Sequence, residues 1–182
     1  MPADDPLRDL PDRALIRRFL DGEEAAFRVL HGRHAPRLRM TVLRLLGRRR
    51  DEVDDVEQEA WLGACRGMHA FNGTARFSSW LATIGIRAAC ARFSPGSDTQ
   101  PCEMDDLPAP PLPAAATAID LERALERLPD RQRAVVVLHD VEGFTHAEIA
   151  RKLDMAPGTS KVTLLRARHA LRRLLADGAS DD

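Results

Sequence analysis

A stretch of 25 residues, Phe93 to Thr117, holds six of the chain's twelve prolines, four acids and no base. Proline breaks helix interiors and drives its predecessor toward extended backbone, so no packed domain forms across such a run. The segment reads as a linker that splits the 182-residue chain into two pieces. Each piece must build its own core. Fully stretched, the linker would reach about 80 Å, more than two turns of B-DNA at about 34 Å each.

Both pieces carry helical periodicity. Upstream, Leu15, Ile16, Phe19, Ala26, Phe27 and Leu30 recur at helical spacing, and Leu38, Val42, Leu45 and Leu46 run up to Gly47. Helices are predicted from about 52 to 68 and 78 to 92, with the loop Phe71-Asn-Gly-Thr-Ala-Arg-Phe77 between them. Downstream, Leu121, Leu125 and Leu128 mark a helix stopped by Pro129, and another runs from Gln132 to Val141. Aromatics make up 4% of the chain and there is no Tyr, which leaves cores of Leu, Ala, Val and Ile and favours helix over sheet. The predicted fold class is all-α: two small helical domains at 11–92 and 118–176, joined by a flexible acidic linker at 93–117.

Charge follows the same division. The net charge of −1 conceals 15 Arg against 10 acids over residues 11–92, and 11 bases against 7 acids over 121–176. Residues 93–120 have five acids and no base. Two basic blocks around an acidic connector point to nucleic acid, which net charge alone would exclude. Cys65, Cys90 and Cys102 form no CxxC pair, and His31 and His34 lack a third ligand nearby, so no metal or cofactor is expected. No acid/base or nucleophile constellation suggests an enzyme. The acidic N-terminus and the absence of a long apolar run suggest a cytoplasmic protein with no membrane insertion.

The segment 144–168 carries the sharpest motif. Ala147, Ile149, Ala150 and Leu153 give a short apolar helix face, Pro157 and Gly158 punctuate a turn, and Lys161, Arg166 and Arg168 follow on a second helix. Two helices across such a turn make a helix-turn-helix, whose second helix enters the DNA major groove. Polar side chains near that helix start reach base edges, while Lys and Arg neutralise phosphates.

In two blocks the chain resembles extracytoplasmic-function sigma factors of bacterial RNA polymerase. The first block is Val53-Asp-Asp-Val-Glu-Gln-Glu-Ala-Trp-Leu62 with Phe71 to Leu81; the second is Leu128-Pro-Asp-Arg-Gln-Arg-Ala-Val-Val-Val-Leu138 with the helix-turn-helix. The resemblance implies a non-enzymatic subunit that directs core polymerase to promoters. It implies contacts with the β′ clamp and β flap, with promoter DNA and with an anti-sigma factor. Asp55, Gln58, Glu59 and Trp61 match the clamp-docking helix, with Trp61 either contact or core. Asn72, Thr74, Arg76, Trp80 and Arg87 match the part that opens the −10 element, and Thr159, Ser160, Lys161, Thr163, Arg166 and Arg168 match the −35 reader.

Two departures from the family pattern stand out. Val162 and Thr163 follow Lys161 where Ser and Arg are usual, and Arg87 replaces an Asn, with the Arg-rich end of that helix missing. These departures leave room for other readings: a sigma-like decoy for an anti-sigma factor, or a stand-alone helix-turn-helix regulator.

Overall fold

The computed structural model describes residues 6–93 and 117–178, so the expected linker falls outside the described residues except at its ends. Among them are eight α-helices and no strand, and the fold is all-α. Packing divides the chain into a unit of residues 1–42 and 53–88 and a second of residues 43–52 and 89–182.

The first unit begins with α1 (Asp12–Leu20), entered through an extended Pro11, with Asp12 in its first turn and Arg17 and Arg18 in its last. These charges oppose the helix dipole at both ends. Gly22, at φ +97°, reverses the chain into α2 (Glu24–Leu46). Helix α2 runs through Pro36, forgoing one backbone hydrogen bond there. Helix α3 (Val53–Gly67) starts with Asp54 and Asp55, and α4 (Phe77–Cys90) follows the aromatic loop. The core gathers Leu15, Leu30, Val42, Val56, Met68, Leu81 and Ile86, all essentially inaccessible. Where α4 meets α2, a Cβ on Gly85 would lie 2.6 Å from Leu38 Cδ1, so any larger residue would have to displace that buried leucine.

In the second unit, α5 (Ala118–Arg127) opens with a reciprocal capping box between Thr117 and Asp120. Pro129 leads into α6 (Asp130–Val136), which continues as a π-helical turn over Val137–Val141. Helix α7 (His146–Leu153) has its own capping box, Thr145 with Glu148, and α8 (Pro157–Gly178) completes the unit. Ala134 to Leu138, Ile149, Leu153, Leu164, Ala167 and Leu171 form the core. Helix α8 starts at Pro157, as the sequence suggests, but Pro157 and Gly158 do not make the turn before it. Asp154, at φ +50°, takes the left-handed conformation, and Pro157 and Gly158 already belong to α8.

Arg133 ties this unit together at 2% exposure. Its Nε donates to Leu45 O (3.0 Å), Nη1 to Leu128 O (2.8 Å), and Nη2 to Leu46 O (3.2 Å) and Asp130 Oδ1 (2.6 Å). Leu45 and Leu46 end α2, where carbonyls have no intrahelical donors, and the guanidinium supplies them. Gly47 beside it, at φ +60°, leaves room for that group: a Cβ there would sit 2.7 Å from Arg133 Cζ. Cys65 and Cys90 are free thiols, and burial pushes Cys90 up to about 12, which makes it inert at neutral pH. Cys102 lies outside the described residues.

Candidate nucleic-acid and polymerase interface

On α3 the i, i+3, i+4 spacing brings Asp55, Gln58 and Glu59 to one exposed face. Asp54 and Glu57 lie on the flank toward Arg39, whose Nη1 binds both at 2.6 and 2.8 Å. A groove of about 470 Å³, lined among others by Phe27, His31, Gln58, Trp61 and Leu62, borders that face, and Leu62 is half exposed. Trp61 itself is 6% exposed and packs edge-on against Phe27 and over His31. Of the two readings left open for Trp61, the structure selects core: the indole forms the floor of the groove rather than a protruding contact.

The loop between α3 and α4 is shaped before any ligand arrives. Asn72 Oδ1 accepts from Thr74 N (3.0 Å) and Thr74 Oγ1 (2.9 Å), an Asx-type turn. Gly73 is left-handed, at φ +69°, and Arg13 of α1 donates to Asn72 O and Gly73 O at 3.0 and 3.1 Å. Phe71, Phe77 and Trp80 form a mutual cluster with centroids 5.2–5.6 Å apart, and His34 adds an edge contact to Phe77. Phe77 is buried and Trp80 half-buried, while Asn72, Thr74, Arg76 and Arg87 are exposed. Arg13 was not among the residues expected here. Its partners lie 59 and 60 positions away, and no local pattern signals such a pairing.

The helix-turn-helix places Thr159, Lys161 and Arg166 on the exposed side of α8, with Thr163 partly covered. Ser160 departs from its expected base-reading place. It is completely buried, and its hydroxyl shares a 3.0 Å hydrogen bond with His146 Nδ1 of α7. Ser160 therefore holds the two helices of the motif together. Arg168 is exposed but engaged twice by Asp140, at 3.1 and 2.6 Å, so contact with a phosphate would compete with that carboxylate. Val162 and Leu165 are exposed beside Lys161, which gives the outward face an apolar share.

His139 stacks on His146 with ring centroids 4.7 Å apart. Desolvation first, then the nearby His139, Lys161 and Arg168, holds His146 below its ordinary value of 6.5. A depressed histidine binds protons more readily when unfolded. Its contribution to stability is thus whole above pH 6.5 and is lost as pH falls through the lowered folded value. The second unit should melt at a lower temperature at pH 5.5 than at 7.5, and His146→Gln should flatten that slope. A slope unchanged by the substitution, followed by calorimetry, would remove His146 as its cause.

Among the described residues no group of three or more His, Cys, Asp or Glu could hold a metal ion, and no helix is long and apolar enough to cross a membrane. Two helical units, one ending in a helix-turn-helix with an exposed basic helix face, define a DNA-binding protein of bipartite build. Known proteins narrow that class. The description "Sigma-70 region 2" matches residues 30–94, and "Sigma-70, region 4" matches residues 118–171. The ECF RNA polymerase sigma factor SigM of Mycobacterium tuberculosis is 40% identical over 167 residues, covering 90% of this chain and 84% of its own length. CnrH, solved in complex with the cytosolic domain of CnrY, aligns with a TM-score of 0.55 at 26% identity, covering 94% of this chain and 99% of that one. The sigma factor RpoE of Bartonella quintana, solved with the anti-sigma factor NepR, shares the fold at a TM-score of 0.54 and 22% identity, over 82% and 96% of the two chains. The chain belongs to the ECF RNA polymerase sigma factors of the sigma-70 family. It acts in transcription initiation by directing RNA polymerase to promoters.

Proposed function

We propose that this sigma factor works as a two-point promoter clamp with no catalytic chemistry of its own. Residues 11–92 dock on the β′ clamp of core polymerase through Asp55, Gln58 and Glu59 and engage the −10 element. There Asn72, Thr74, Arg76 and Arg87 supply polar and cationic partners for unstacked bases, with Trp80 at the edge of the aromatic cluster. Residues 118–176 approach the β flap and read the −35 element through Thr159, Lys161, Thr163 and Arg166, with Arg168 joining where phosphate displaces Asp140. Residues 93–117 connect the two. The observation that carries this reading is the pair of exposed faces: an acid and amide stripe on α3, and a polar, basic first stretch on α8.

Opening a base step costs a few kcal/mol, and replacement contacts must offset it. The preformed Asn72–Thr74 turn supports this role, because a loop held by Arg13 loses little conformational entropy when bases arrive. The activity is placed in the cytoplasm, where core polymerase works. An anti-sigma factor is a fitting regulator, since the sigma factor RpoE of Bartonella quintana, which has the same fold, is solved with one.

In vitro transcription with purified core polymerase on candidate promoters tests the reading. Run-off product from specific start sites is expected, and failure to bind core would overturn it. Within it, Lys161→Ala should weaken −35 binding and lower the slope of log K against log salt by about 0.9, one phosphate's worth. An unchanged slope in fluorescence anisotropy titrations would remove Lys161 from the interface.

A further inference from the structure

The first unit contains a basic cleft whose lining residues are none of those assigned above to polymerase or promoter contact. Arg8, Ala25, Arg28, Val29, Gly32 and Arg33 line a cleft of about 540 Å³, and no acidic side chain is among them. That volume lies within the range of roughly 300–1,000 Å³ typical of small-molecule sites. The walls are unusual for such a site, because three of the six lining residues are arginines. Arginine's planar fork suits phosphate better than a lysine point charge does.

Arg33 is already oriented. Its Nη1 donates to Asp12 Oδ1, and its Nη2 donates to the carbonyls of Arg8 (2.9 Å) and Leu10 (3.1 Å). Asp12 is fixed in turn by His34 Nε2 at 3.0 Å. Arg28 is only loosely held: its nearest carboxylate, Glu24, is 4.0 Å away and both side chains are largely exposed. Arg8 makes no pair among the described residues. Part of the cleft's charge is thus locked in place while the rest stays adjustable.

Gly32 supplies the independent observation. It sits inside α2, where glycine costs about 1 kcal/mol relative to alanine. Neither backbone nor packing asks for it: its φ is not positive, and a Cβ built there would meet nothing within 4 Å. Its effect is to leave the cleft floor open between Arg28 and Arg33. Any larger residue would project into that space.

We propose that this cleft is an oxyanion site for a polyphosphate group. Asp12 already compensates Arg33, but Arg8 and the loosely held Arg28 add cationic charge to the same concavity, and a multiply charged phosphate can take up both of them while the fixed Arg33 orients it. The phosphates could come from a soluble nucleoside polyphosphate or from consecutive phosphates of a nucleic-acid strand, and the test separates the two.

The probe is inorganic tripolyphosphate, titrated calorimetrically into the full chain at about 0.1 M salt, where the Debye length is about 10 Å. Saturable one-to-one binding is expected, weakened at least tenfold by Arg28→Gln and by Gly32→Leu. Gly32→Leu should raise the melting temperature, since it improves helix propensity and its Cβ meets no neighbour, and a melt of the variant separates binding loss from unfolding. Arg172→Gln on α8 serves as a control and should leave binding unchanged. An abasic deoxyribose-phosphate strand that displaces tripolyphosphate identifies nucleic-acid backbone as the source; failure to displace it identifies a soluble polyphosphate. The proposal is overturned if binding is not saturable, if both variants bind as the parent does, or if only a polyglutamate peptide shows the Gly32→Leu sensitivity.

Discussion

Arg133→Ala should lower the stability of the second unit by about 3–5 kcal/mol, the cost of breaking a buried ionic pair from one side. The guanidinium is 2% exposed and donates to three carbonyls and one carboxylate. Alanine would leave the carbonyls of Leu45 and Leu128 without that donor, each a buried acceptor costing about 1–3 kcal/mol when unmade, while Leu46 O would keep only Arg49 N at 3.3 Å. Asp130 would keep Arg49 at 3.0 Å, so its own loss is smaller. Lysine would not rescue the site, because a single ammonium cannot span four acceptors held in a fork. Urea denaturation of the full chain checks this. A loss under 1 kcal/mol, or full rescue by lysine, would contradict the assignment.

Asp55→Arg should leave folding nearly intact and sharply weaken binding to core polymerase. Asp55 is exposed in the first turn of α3, so its removal forfeits only a dipole contribution of about 0.3–1 kcal/mol. At an interface the same change places a cation on a stripe whose acids call for a cationic partner surface. Like charges brought together there cost several kcal/mol, and about 1.4 kcal/mol is a factor of ten, so affinity should fall about 100-fold or more. Asp51→Arg, in the short helical turn that leads into α3, reads how far along the chain the docking face extends. Equal core affinity for Asp55→Arg and the parent, measured by competition with a labelled sigma factor, would remove α3 from the docking face.

Much of the fold was legible in the chain. Helical spacing located α3 to α8 closely, because apolar stripes of 3.6-residue period have no other stable use. It ran one stripe from Leu15 to Leu30 and a second from Leu38 to Leu46, where the chain breaks at Gly22 and α2 spans Glu24–Leu46. The helix-turn-helix was legible for the same reason, its second helix starting at Pro157 as expected, but the residue that turns the chain was not. Pro157 and Gly158 are the usual punctuation, yet Asp154 took the left-handed position, which aspartate tolerates better than most residues. The candidate sites were legible as segments but not as surfaces. Asp55, Gln58 and Glu59 came out exposed together, whereas Trp61 and Ser160, one or two positions from exposed neighbours, turned inward.

Local composition decided where helices begin and end, that the described residues form no sheet, and where charge accumulates. Caps, prolines and periodic apolar residues act over a few positions and need no distant partner. Packing decided the rest: that Ser160 bonds His146 instead of facing outward, that Arg13 pins a loop 59 residues away, and that residues 43–52 pack with the second unit. Periodicity tells which side chains share a face, but not which face a remote helix will cover. That choice also turned Arg133, one arginine among many in the chain, into a buried clamp.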